Sequence, residues 1–274
     1  MPIHLAQPSV ALAYGASRER SRNVVAHACE FDFAAHRMTR QYPTWLDAPR
    51  PGELHLWRFR TGWLPVPIHE GDRWLSENER ERARLNPNSA LRKRFLAARV
   101  MLRWIVANLF DSAPQDMRFI EGHAEQPSLQ LATEGCPLVI DIAYGGIWIV
   151  IGVSSATLGL GVTMPKPGVE TALLERAPAS IWPTGAPDRL RQPFHHADES
   201  LQFARYKSLS SALKQPDLKV APQTLRDNAV ATFVDLEAAG RWHVVDVPMP
   251  GKIRAAVSVA QTLNTIQAFG WHKS

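Results

Sequence analysis

The sequence predicts an α+β protein made of two similar halves, because a helix followed by several strands occurs twice along its 274 residues. A proline-rich stretch separates the two series. Each series must bury one apolar side of its helix and strands. We therefore expect the halves to pack against each other with a cleft between them.

Four regions follow from this order. Residues 1–52 contain the charged run Arg-Glu-Arg-Ser-Arg at 18–22 and several prolines, and we expect a loosely ordered extension, with or without a short helix or strand of its own. Residues 53–165 form the first half, residues 166–197 the proline-rich connector, and residues 198–274 the second half. One chain with both halves can form the whole cleft alone, so we predict a monomer.

The first half opens with a strand and a capped helix. Residues 54–59 show a strand pattern that begins after the turn-forming pair Pro51-Gly52. Ser76 and Glu79 have the spacing of a capping box, in which each side chain bonds a free backbone amide at the start of a helix. That helix is predicted to extend to about Leu85.

A longer helix follows, because apolar residues recur at steps of four and three and so share one face. These residues are Leu91, Phe95, Ala98, Leu102, Ile105 and Leu109. Further strands of the first half are predicted at 117–120, 138–142, 147–153 and 158–162, and Gly145-Gly146 indicates a hairpin turn.

The second half repeats this order of a helix followed by strands. Its helix is predicted at 198–214 and its strands at 230–236, 242–247 and 253–259. The segment Pro248 to Gly251 is typical of a turn between the last two strands.

Composition narrows the possible function classes. The formal net charge of +5 suits acidic partners or phosphorylated ligands but is too small to indicate a nucleic-acid binder. Cys29 and Cys136 lie far apart and match no metal or redox spacing. No run of about 18 apolar residues predicts a membrane span. No basic segment precedes the apolar patch Val10–Tyr14, so we expect no signal peptide and a cytoplasmic location.

Several stretches, taken in order, indicate a family. They read LSENER at 75–80, RFLAAR at 94–99, GVT at 161–163 and FARYKSLSSALK at 203–214, and a final hairpin pattern covers 242–259. Over about residues 54–259 the chain resembles the surfactin-synthetase type of 4′-phosphopantetheinyl transferase. This resemblance implies a fold of two α+β halves. It also implies transfer of the phosphopantetheine arm of coenzyme A to a serine of an acyl or peptidyl carrier protein, with magnesium.

The resemblance also shows where the chain departs from its family. The family's two principal magnesium-binding acids fall on Thr163 and Ser211, a further acid falls on Pro165, and a catalytic lysine falls on Ser210. Magnesium prefers anionic oxygen ligands in octahedral geometry. A hydroxyl is a weak substitute for a carboxylate, and proline offers no side-chain ligand, so none of the family's catalytic groups is intact.

The resemblance implies a second set of residues, which would contact coenzyme A. Arg82 and Arg94 fall near basic positions of the family, although a solvated helix face explains them as well. Tyr144 stands where the family has a histidine, and it would stack on the adenine or simply be a half-buried strand aromatic. Two lysines of the family would complete this set. One of them falls on Gln126, and the other falls one residue away from Lys214.

Two functions remain open at this point. One is an active holo-acyl-carrier-protein synthase with a rebuilt magnesium site, for which Asp141 and Glu170 are the available acids. The other is a weak or inactive pseudoenzyme that still binds a carrier protein and coenzyme A. The loss of the acids and lysines together favours the pseudoenzyme, because ion-based charge stabilisation is the largest electrostatic contribution to such a reaction.

Overall fold

The computed structural model describes residues 29–34, 46–121, 127–129, 138–164, 196–215, 218, 231–236 and 239–271. Its helices are α1 (Ile68–Gly71), α2 (Glu77–Leu85), α3 (Ser89–Leu109) and α4 (His196–Leu213). Its strands are β1 (Glu30–Ala34), β2 (Glu53–Arg60), β3 (Phe119–Glu121), β4 (Pro127–Leu129), β5 (Val139–Gly145), β6 (Trp148–Ser154), β7 (Leu158–Thr163), β8 (Ala231–Leu236), β9 (Gly240–Val247), β10 (Arg254–Val259) and β11 (Thr265–Phe269). The predicted α+β class is confirmed.

The strands form two main sheets with related connectivity. Sheet 1 has the order β1-β11-β2-β6-β5, sheet 2 has the order β7-β10-β9-β8, and β3 pairs with β4. In sheet 1, β2 is followed by the helices α1, α2 and α3, and β6 then pairs antiparallel with both β2 and β5. In sheet 2, β7 is followed by α4, and β10 pairs antiparallel with both β7 and β9.

These elements stack in four layers, in the order α3, sheet 1, sheet 2 and α4. An apolar cluster that includes Leu56, Val150, Leu160 and Val257 fills the space between the two sheets. A second cluster lies between α3 and the outer face of sheet 1, and a third lies between α4 and sheet 2. Side chains therefore fill the space between the sheets, where we expected a cleft.

The sheets divide the chain differently from the predicted halves. β7 falls inside the predicted first half, 53–165, yet it belongs to sheet 2, and β11 falls in the predicted second half yet lies in sheet 1. Part of the predicted loosely ordered extension is strand β1, which pairs parallel with β11. The reason is visible in β1 itself, because Phe31 and Phe33 pack against the cluster between the sheets while the alternating Glu30 and Asp32 are exposed.

The predicted capping box of α2 is present and also anchors α2 to α3. Ser76 Oγ accepts a hydrogen bond from the backbone N–H of Glu79 (3.2 Å), and Glu79 Oε2 accepts one from the backbone N–H of Ser76 (2.8 Å). The same Oε2 atom accepts from Arg103 Nη2 at 2.7 Å, and both side chains of this ion pair are buried. The LSENER stretch therefore serves to join two helices. No helix in the described residues is long and apolar enough to cross a membrane.

His55 predicts a pH dependence of stability. It lies on β2 and is 2% exposed, and its ring meets those of Trp57 and Phe269 edge-on. Burial lowers the pKa of His55 from 6.5 to about 4, and the carboxylates of Glu53 and Asp47 oppose part of this shift. Between pH 6.5 and pH 4, His55 is therefore protonated in the unfolded chain but neutral in the folded protein. We expect the free energy of unfolding to fall by about 3 kcal/mol between the two pKa values.

Urea unfolding of His55→Leu across the same pH range checks this expectation. The variant should lose this part of the pH dependence, whereas His69→Leu, which removes a histidine side chain that is 77% exposed, should keep it. Equal pH dependence in the His55 variant and the native protein would show that another group is responsible.

Candidate functional site

The Gly-Leu-Gly-Val-Thr run at 159–163 is the surface on which α4 rests. A Cβ atom on Gly161 would lie 1.9 Å from the carbonyl oxygen of Ala204, and one on Gly159 would lie 2.2 Å from that of Ser208. Thr163, on the same face of β7, donates its hydroxyl hydrogen to the carbonyl oxygen of Ser200 at 2.9 Å. The glycines thus permit direct backbone contact between a strand and a helix, and Thr163 continues that contact by a hydrogen bond.

Ser211 belongs to a buried network centred on Asp141. The Asp141 side chain is 2% exposed, and its Oδ2 atom accepts from Ser211 Oγ at 2.8 Å and from the backbone N–H of Leu160 at 2.7 Å. Its Oδ1 atom accepts from the backbone N–H of Ile142 at 2.8 Å. One carboxylate therefore links β5 of sheet 1, β7 of sheet 2 and α4.

The structure does not bring the two expected metal positions, Thr163 and Ser211, together. β7 and α4 run in opposite directions, so Gly159 meets Ala212 whereas Thr163 meets Ser200. Ser200 and Ser211 are 11 positions apart on one helix, which corresponds to a rise of about 16 Å. Magnesium binds its ligands at about 2 Å, so no single ion can contact both hydroxyl groups.

Of the remaining metal candidates only Asp141 lies within the described residues, and its surroundings do not suit a metal ion. Pro165 and Glu170 lie outside the described residues, as does the cofactor candidate Gln126. The carboxylate of Asp141 is surrounded by hydrogen-bond donors, which suit an anion and oppose a cation. Among the residues that the structure describes, no three His, Cys, Asp or Glu side chains come together as metal ligands. The described residues therefore do not fit the family's magnesium ion.

Ser210 and Lys214 shape the end of α4. The Ser210 hydroxyl donates to the carbonyl oxygen of Gln215 at 2.6 Å. Lys214 is exposed, has a left-handed backbone conformation (φ 55°), and donates its backbone N–H to the carbonyl oxygen of Ser211. This arrangement satisfies free carbonyl groups at a helix C-terminus.

Two of the expected coenzyme A contacts do lie together. The Arg94 guanidinium lies over the Tyr144 ring at 4.8 Å, and Arg94 Nη1 donates to the carbonyl oxygen of Gly146 at 2.8 Å. Arg82, on α2, lies over the ring of Phe95, the residue after Arg94. These three candidates therefore share the α3 side of the molecule.

That side is remote from the expected metal positions. The Cβ position of Gly145 meets Val162 of sheet 2, and side chains alternate along a strand, so Tyr144 points away from sheet 2. Thr163 faces α4 on the far side of sheet 2. Packed sheets lie about 10 Å apart, so these two side chains cannot share a small ligand.

A groove on the α3 side was missed by the sequence reasoning. It has a volume of about 390 Å³ and lies between the chain segment 61–68 and Lys93 of α3. The signal in the sequence is a short apolar segment with two prolines, Leu64 to Ile68, which follows β2 and precedes the capped helix α2. Such a segment is exposed when no strand or helix covers it.

No protein-family model matches the sequence, and a search of curated proteins finds no match.

Proposed function

We propose that the chain is a divergent member of the 4′-phosphopantetheinyl transferase superfamily that acts as a pseudoenzyme. In this proposal it binds an acyl or peptidyl carrier protein, and coenzyme A, without transferring phosphopantetheine. The two sheets would be the family's pseudo-twofold halves. Their shared order of strand, helix and antiparallel strand pair supports that assignment.

The proposal rests on one observation, which is that hydrogen bonds hold the hydroxyl groups of Thr163 and Ser211 at two separate places. Each hydroxyl donates to an acceptor of the protein itself, Ser200 in one case and Asp141 in the other, at opposite ends of α4. The family reaction needs a cation to neutralise the pyrophosphate of coenzyme A as its bond breaks. Without ligands for that cation, several kcal/mol of charge stabilisation are lost.

Binding of coenzyme A remains compatible with the basic α3 side. Arg82 and Arg94 are only partly buried, and Lys93 between them along the chain is exposed. Phosphate groups interact well with such arginines, which present several N–H donors in a fixed plane.

Calorimetry with coenzyme A, in magnesium and then in EDTA, tests this proposal. We expect the same affinity in both solutions, because the phosphates would contact arginines directly. A family transferase with intact acids is the control, and its affinity should fall in EDTA. Binding that requires magnesium would contradict the proposal and favour an active synthase with a rebuilt metal site.

A further inference from the structure

The groove beside α3 has a mixed lining, in which aliphatic side chains stand beside Thr61, Gly62 and one cationic side chain. Leu64, Val66 and Ile68 line it, and all three are only half-buried. Lys93 lines it from α3 and is exposed. Ligand sites are typically apolar concavities of about 300–1,000 Å³ with a few polar groups, and this groove is at the small end of that range.

The wall formed by segment 61–68 is held in place before any ligand binds. Trp63 contacts the Trp148 ring edge to face, with ring centres 5.3 Å apart. Leu64 packs against the apolar cluster beneath α3. Pro65 and Pro67 restrict the backbone between them, so little conformational entropy is lost when the groove is filled.

Lys93 differs from the basic residues on either side of it. Arg92 donates to the carbonyl oxygen of Asn86, and Arg94 donates to that of Gly146. Lys93 makes no ion pair or side-chain hydrogen bond with any residue in the described part of the chain. An ammonium group in this position attracts a negative charge to the groove.

We propose that this groove binds the hydrocarbon chain of a single-chain amphiphile whose anionic head group pairs with Lys93. The aliphatic side chains of Leu64, Val66 and Ile68 would contact a hydrocarbon chain, the small volume selects one chain over two, and the lysine selects an anionic head. This inference goes beyond the proposed function, because neither Thr163 nor Ser211 takes part, although Lys93 also lies on the α3 side where coenzyme A is proposed to bind.

Decanoate, below its micelle concentration, is the probe for this site. Calorimetry on the full chain at low salt should show saturable binding with one decanoate per chain. Decyltrimethylammonium, which has the same chain and the opposite charge, should bind more weakly, by up to about fivefold for one exposed charge pair. Equal binding of the two probes, or no saturable binding of decanoate, would overturn the proposal.

Two variants locate the binding. Lys93→Met keeps the aliphatic stem and removes the charge, and should weaken decanoate binding by up to about fivefold with little effect on decanol. Val66→Trp should abolish binding of both by filling the groove. Lys252→Met removes an exposed lysine elsewhere and should leave decanoate binding unchanged. Unchanged decanoate affinity in the Lys93 variant, or an equal loss in the Lys252 variant, would place the ligand elsewhere.

Discussion

Gly161→Ala should lower the free energy of unfolding by more than about 4 kcal/mol, which is enough to unfold many domains. The new Cβ atom would lie 1.9 Å from the carbonyl oxygen of Ala204 and 2.7 Å from the backbone nitrogen of Ser208. Both contacts are to helix backbone, which cannot move aside as a side chain can. Helix α4 would have to leave sheet 2, and its apolar contacts would be lost.

Chemical denaturation of the two proteins, followed by circular dichroism, measures this effect. Gly62→Ala is the matched control, because in the described part of the chain no atom other than those of its two neighbours lies within 4 Å of the Cβ position of Gly62. The control should remain within about 1 kcal/mol of the native protein. A Gly161 variant as stable as the control would mean that α4 does not rest on β7 as described.

Asp141→Ala should lower the free energy of unfolding by about 3 to 5 kcal/mol, because it leaves several buried hydrogen-bond donors without an acceptor. The backbone N–H groups of Ile142 and Leu160 and the hydroxyl of Ser211 all donate to this carboxylate. The stability of Asp141→Asn should lie between those of the native protein and the alanine variant, because asparagine keeps one acceptor oxygen but turns an NH₂ group towards a donor.

Asp116→Ala provides the control for the loss of one carboxylate. Asp116 is exposed, so its removal should change stability by less than about 0.5 kcal/mol. If Asp141→Ala lowered the free energy of unfolding as little as Asp116→Ala does, the Asp141 carboxylate would not be the link between the two sheets and α4.

Most of the local structure could be predicted from the sequence, because its causes are local. The stripe from Leu91 to Leu109 produces α3, and the box Ser76–Glu79 starts α2. The sheet membership of β7, β11 and β1 could not be predicted, because strand pairing joins residues far apart in sequence. The proline-rich connector marks a loop, and a loop does not decide which sheet its flanking strands enter.

The candidate site was predicted less well than the fold. Motif order placed the metal positions at Thr163 and Ser211, but the direction of α4 relative to β7 separates them, and no local pattern encodes that direction. Asp141 was considered only as a possible metal ligand. A lone carboxylate within an apolar strand is a signal for a buried hydrogen-bond network, and that network is its role here.

The most direct test of the pseudoenzyme is intact-mass spectrometry of apo carrier proteins after incubation with this protein, coenzyme A and magnesium. The double variant Thr163→Asp/Ser211→Glu should be run beside the native chain, with an active family transferase as the positive control. We expect no added phosphopantetheine from either form, because the two positions are too far apart to share an ion even when both carry carboxylates. A mass increase of one phosphopantetheine with the native chain would contradict the loss of catalysis. The same increase with only the double variant would contradict the separation of the two positions.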